Sequence, residues 1–147
     1  MPDSEPLVLF RRCTGLDRCA IEAFARKLQK LLGRGREFRC LIAGDTTLCQ
    51  LNYKFLGKNY PTDVLSFPAE PGNREWGEVA ISAARARSQA RRFGHSVEQE
   101  IAILMLHGVL HLRGMDHERD HGAMAQAEGR WRKKLGLPSG LIERVRA

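Results

Sequence analysis

No apolar run in the 147-residue sequence approaches the ~18 residues that a membrane span requires. The amino terminus, "MPDSEPLVLFRR", lacks a basic start followed by a long apolar stretch, so it does not read as a secretion signal. These two absences point to the cytoplasm and leave no membrane partner. The four cysteines, Cys13, Cys19, Cys40 and Cys49, include no C-x-x-C pair. A disulfide framework is not expected on that pattern in a chain without a signal, and four reduced, mostly buried thiols are. A remote cysteine as a further metal ligand is the weaker reading of the same residues. Repeats, low-complexity tracts and linkers are missing too, so residues 1–147 are expected to form a single domain, long enough for a proper core.

Acidic residues are the scarcer charge. Lys plus Arg number 24 against 17 Asp plus Glu, for a net charge of +7 and a pI near 9.7. A basic surplus suits a polyanion, most often nucleic acid, and equally serves as a solubilising surface. The charge is clustered, in "RGREFR" at 34–39, "RARSQARR" at 85–92 and "RWRKK" at 130–134.

Strand patterns occur at 5–10, 37–44, 62–68 and 77–82, with a loop over 69–76. Helical patterns occupy 16–33, 45–57, 83–93, 97–113 and 119–135. Asp17 is placed to cap the first helix, whose apolar face reads Ile21, Phe24, Leu28, Leu31 and Leu32. Asp45 is the expected cap of the second helix. Ser96 and Gln99 form a capping-box pattern before the apolar helix 97–113, and Gly33, Gly57, Gly94 and Gly136 stand at helix ends. The order β, α, β, α, β, β, α, α, α predicts an α/β (α+β) fold with a mixed sheet of about four strands and helices packed against it.

The densest chemistry is in "HGVLHLRGMDH", residues 107–117, at the end of the apolar helix. His107 and His111 are four apart and therefore share one helix face, one turn from each other. Gly114 can end the helix in a left-handed conformation, and after Met115 and Asp116 the chain can bring His117 back toward the other two rings. Three converging imidazoles with one open position describe catalytic zinc; a structural metal is the intermediate case, and three hydrogen-bonded core histidines are the plain one. The spacing H-x3-H-x2-G-x2-H is also that of metzincin peptidases, which carry Glu directly after the first His as general base. Here that position is Gly108, so peptide hydrolysis by that route is disfavoured.

With "LNYKFLGKNYPTDVLSFP" (51–68) and "GEVAIS" (77–82), the histidine block resembles the YbeY family of bacterial endoribonucleases. The resemblance implies a zincin-like single domain with one Zn2+ per chain, held by His107, His111 and His117. It implies cleavage of single-stranded RNA, maturation of 16S ribosomal RNA at its 3′ end and ribosome quality control. Implied partners are the 16S rRNA precursor, the small ribosomal subunit, ribosomal protein S11 and a GTPase of ribosome assembly. One departure stands out: the family usually has Arg in a segment "YRGKD", and the aligned residue here is Leu56. Lys54 or Lys58 can supply charge there but not the planar fork of an arginine. Leu56 favours an alternative in which the protein binds RNA as an assembly factor around a structural metal.

Other candidates are weaker. Asp116 is placed to orient a ligand imidazole or a water, or simply to make a turn. His121 lies four residues beyond His117. Asp63 and Ser66 can line a cleft, or cap a turn and bond within the sheet. Arg85, Arg87, Arg91 and Arg92 form a candidate phosphate-tracking stripe, although they fall on more than one helical face. Trp76 and Trp131 can stack on bases, with core packing expected for at least one.

Overall fold

The computed structural model describes residues 6–114 and 122–138. Each helix begins or ends on a local signal that the sequence carries. The Asp17 carboxylate accepts from Ala20 N–H and starts α1 (Arg18–Leu32). Its buried stripe is Ile21, Ala25, Leu28 and Leu32. Leu31, expected on that face, is 38% exposed, since the helix turns about 100° between it and Leu32. In α2 (Asp45–Leu56) the cap is Gly44, not Asp45. The Asp45 carboxylate instead accepts the Ser82 hydroxyl at 2.7 Å. Gly57, at φ 69°, ends α2 in the left-handed region. Ser82 caps α3 (Ala83–Phe93), and the expected capping box of Ser96 and Gln99 opens α4 (Val97–Leu112). α5 (Ala123–Leu135) follows Gly122; the expected start of this helix near residue 119 lies outside the described residues.

The strands are β1 (Val8–Phe10), β2 (Glu37–Ala43), β3 (Val64–Pro68) and β4 (Glu75–Ser82), in the sheet order β1-β2-β4-β3. The first three in that order are parallel, and β3 closes the edge antiparallel to β4. Of the expected strand at 5–10, residue 5 lies outside the described residues and Val8–Phe10 form the strand, because pairing with β2 runs from Val8–Cys40 to Phe10–Ile42. The loop expected over 69–76 loses Glu75 and Trp76 to β4. Glu75 pairs with Glu37, and a register shift then brings Gly77 opposite Phe38. At Gly77, φ is 137° and a Cβ would collide with the Phe67 carbonyl, so this crossing of strands needs glycine.

Alternation along the strands divides the molecule into two layers. Val8, Phe38, Cys40, Ile42, Val79 and Ile81 face the main core, shared with α1, α4 and α5. Ala43, Leu65 and Ala80 face the other way, onto Leu48 of α2, with Leu41, Leu51 and Phe67 around them. From Glu100 to Leu110 every residue of α4 is buried, which explains its lack of a polar face. No helix among the described residues is long and apolar enough to cross a membrane.

Two of the four cysteines, Cys13 and Cys40, are buried, whereas Cys19 is exposed and Cys49 half-buried, so burial is less general than the sequence suggests. All four are free thiols. Burial pushes the Cys40 thiol well above its ordinary pKa, away from the thiolate that metal ligation and alkylation require. Iodoacetamide on the native protein is therefore expected to label Cys19 and to reach Cys40 only after denaturation; mass mapping of the adducts distinguishes the two.

At Gly108, helix α4 closes tightly on the sheet. A Cβ there would lie 2.6 Å from Cγ1 and 3.0 Å from Cγ2 of Val79, and 3.3 Å from the Ser66 hydroxyl. Val79 is β-branched and fixed in a central strand, so it has little room to give way. Gly108→Ala should lower stability by about 1–3 kcal/mol in denaturant titration, although alanine is the better helix former by ~1 kcal/mol. A variant as stable as the parent would mean that the helix-to-sheet spacing is soft.

Candidate functional site

The site is built on α4. His107 is 7% exposed, and His111, one turn later, is half-buried at the helix end. Their ring centroids are 4.8 Å apart with planes at 68°, so the two imidazoles do share one side of the helix. Gly114 then takes φ 90°, the left-handed conformation expected to end the helix. His117, Asp116, Met115 and His121 lie outside the described residues. Among the described residues there is no group of three or more His, Cys, Asp or Glu side chains placed to hold a metal ion.

A residue that the sequence reading missed joins this pair. Glu128 of α5 is fully buried, and its Oε2 lies 2.8 Å from Nδ1 of His107, within hydrogen-bond distance. The signal was present in the sequence: Met124, Ala127 and Trp131 form a core-facing stripe, and Glu128 interrupts it with a charge. A carboxylate on Nδ1 leaves Nε2 as the nitrogen with the lone pair. Imidazoles one turn apart, one of them held in this way, are a donor set that zinc accepts. A second buried pair, His95 Nε2 to Glu100 Oε1 at 2.6 Å, lies at the other end of α4.

Gly108 has a chemical consequence. The position where a metzincin carries its glutamate base faces Val79 and Ser66, where even a Cβ would lie 2.6 Å from Val79 Cγ1. The Ser66 hydroxyl donates to the Gly108 carbonyl at 3.1 Å, bonding β3 to α4 beside His107. Asp63 serves the turn reading: its carboxylate accepts from Val64 N–H at 2.8 Å and from Gln89 at 3.1 Å.

The α2 face of the sheet holds a cleft of about 970 Å³, with Leu41, Leu51, Phe67 and Ala80 among its lining residues. Lys54 and Leu56 line it as well, Leu56 being 51% exposed. Arg39, from the basic cluster at 34–39, adds a cation on the face away from Phe38 and Cys40, and Arg11 adds one that the sequence reading missed. Arg39 is paired with Glu75 at 3.0 Å. Lys58 is exposed just past the end of α2. β3 borders both this cleft and α4: Ser66, expected as a cleft residue, lines the cleft and also bonds to the helix, and Phe67 lines the cleft beside it.

The arginines of α3 divide. Arg85 lies 3.4 Å from Asp45, and Arg87 donates to the Thr14 carbonyl, so both tie α3 to neighbouring segments. Arg91 and Arg92 are exposed in the last turn, Arg92 with its guanidinium 5.2 Å from the centre of the Phe93 ring. Both tryptophans pack at the edge of the core. Trp76 Nε1–H donates to Gly33 O at 2.9 Å, with Arg36 over its ring at 4.0 Å and Arg113 at 5.9 Å. Partial burial, and then the nearby Arg34, lower the Arg113 pKa.

Residues 15–136 match the family described as endoribonuclease YbeY. The endoribonuclease YbeY of Solibacter usitatus (strain Ellin6076) is 60% identical over 141 residues, covering 95% of each chain. That of Koribacter versatilis (strain Ellin345) is 42% identical over 139 residues, 95% of this chain and 91% of the relative. The solution structure of TM1509 from Thermotoga maritima is similar with a TM-score of 0.58 and 26% identity, over 86% of this chain and 93% of that one.

Proposed function

Because the chain belongs to the YbeY endoribonuclease family, we propose that it is a zinc-dependent hydrolase that cuts single-stranded RNA. The observation that carries the reading is the pair of imidazoles, His107 and His111, at the end of the buried helix α4. His117 is the proposed third ligand. The proposed setting is the cytoplasm, in 3′-end maturation of 16S rRNA and ribosome quality control. The 16S precursor is the proposed substrate, and the small ribosomal subunit, ribosomal protein S11 and an assembly GTPase are the proposed partners.

Zinc, if held by His107, His111 and the proposed His117, would supply Lewis acidity toward a phosphodiester and would lower the pKa of a water to about 7. The chain's own groups hold and orient the RNA. Arg91 and Arg92 present charge to solvent, and Lys54 presents it at the cleft, where it attracts backbone phosphates. Arg85 and Arg87 add to the same field while fixing α3 in place. Asp116 is assigned to orient a ligand ring or the attacking water, and Lys58 to supply charge next to Leu56. A metzincin-type peptidase step lacks its base, since Gly108 has no room for a carboxylate.

Purified protein should cleave a single-stranded rRNA-like substrate, and His111→Ala should abolish cleavage while circular dichroism shows the fold intact. Equal cleavage by the variant would remove the histidines from the chemistry. Leu56→Arg tests the departure from the family pattern. An oriented arginine stabilises charge that develops in the transition state, and one such donor is typically worth ~10²–10³ in rate. Ground-state RNA affinity is spread over many cations, so it should change by less than about tenfold. Single-turnover cleavage should therefore rise at least about tenfold in Leu56→Arg, with little change in a filter-binding assay. An unchanged rate would show that the arginine is dispensable in this chain.

A further inference from the structure

We propose that Glu128 is the positioning residue of the metal centre: it fixes the tautomer and orientation of His107, so that Nε2 presents its lone pair to the ion. The inference rests on the metal reading above and adds to it a residue of α5, which lies outside the histidine block.

Three observations converge. First, Glu128 is a fully buried carboxylate on a helix face otherwise made of Met124, Ala127 and Trp131, where an apolar side chain would pack at no electrostatic cost. Second, its Oε2 lies 2.8 Å from Nδ1 of His107, within the short range of a hydrogen bond to a charged acceptor. Third, the imidazole it holds is itself buried and packed edge-on against His111, so rotating the ring would break both contacts.

A neutral imidazole carries one proton on two nitrogens, and a carboxylate can only accept. The bond therefore places the proton on Nδ1 and the lone pair on Nε2. It also places negative charge behind the ligand, which raises the ring's basicity toward a cation. The Ser66 bond to the Gly108 carbonyl and the Gly108–Val79 contact fix the backbone of α4, while Glu128 fixes the ring on it.

The test uses Zn2+ alone, titrated into the full chain against a chromophoric chelator, with the thermal midpoint of each metal-free variant measured alongside. Glu128→Gln should weaken Zn2+ binding by about 10- to 100-fold, and Glu128→Asp should fall between it and the parent. Zn2+ affinity of Glu128→Gln within about twofold of the parent would overturn the proposal, even if its metal-free midpoint falls, because that result describes a purely structural pair. If the parent binds Zn2+ no better than His111→Ala, the metal reading itself fails, and this inference with it. Nitrogen-15 NMR of the metal-free parent, at a pH where the ring is neutral, is independent of whether any variant folds. His107 should carry its proton on Nδ1, and a proton on Nε2 would overturn the assignment.

Discussion

The rest of the structure depends on the contact between α4 and the sheet at Gly108. With no side chain at that point, the helix lies directly on Val79, and its carbonyl comes within reach of the Ser66 hydroxyl on the edge strand. Close contact at one position fixes the rotation of the whole helix, because side-chain directions follow its 3.6-residue period. His107, one residue earlier, is therefore carried to the flank that meets α5. His111 follows one turn on. The same contact removes the general base that a peptidase with this histidine spacing would use. A single packing constraint thus helps select both the geometry and the chemistry.

The second constraint is the cost of burying polar groups in that core. α4 has no solvated face, yet it carries Glu100 and His107 inside. Each has a partner of complementary character, His95 for the glutamate and Glu128 for the histidine. An unpaired polar group at such depth costs several kcal/mol, so these pairs define where α4 can sit relative to the α3–α4 turn and to α5. The two pairs anchor opposite ends of one helix, and the candidate metal ligands lie at the end where the chain leaves the core.

The sheet has a second surface, whose cleft reaches the histidine helix at Ser66. Alternation along β2 and β4 gives the α4 face to Phe38, Cys40, Ile42, Val79 and Ile81, and the α2 face to Arg39, Leu41, Glu78 and Ala80. β3 borders both, and Ser66 on it lines the cleft while bonding to α4. Among the described residues, the basic side chains serve different ends. Arg85 and Arg87 are used to hold α3, Arg39 is paired with Glu75, and Arg91, Arg92 and Lys54 face outward or into the cleft.

The sequence by itself determined the elements and their order, because caps, glycine stops and hydrophobic periods are local properties of short segments. The Ser96–Gln99 box and the left-handed Gly57, Gly94 and Gly136 act within a few residues of where they stand. The His107–His111 pair was legible for the same reason, since four residues of helix always bring two side chains together. Errors came where a distant segment decides. Strand pairing set the ends of β1 and β4, and Ser82 drew Asp45 away from its cap. Tertiary structure alone brought Glu128 to His107 across 21 residues of sequence, and Val79 to Gly108. Neither contact follows from a local period: each exists only because α4, α5 and the sheet must fill one core without voids or unpaired polar groups.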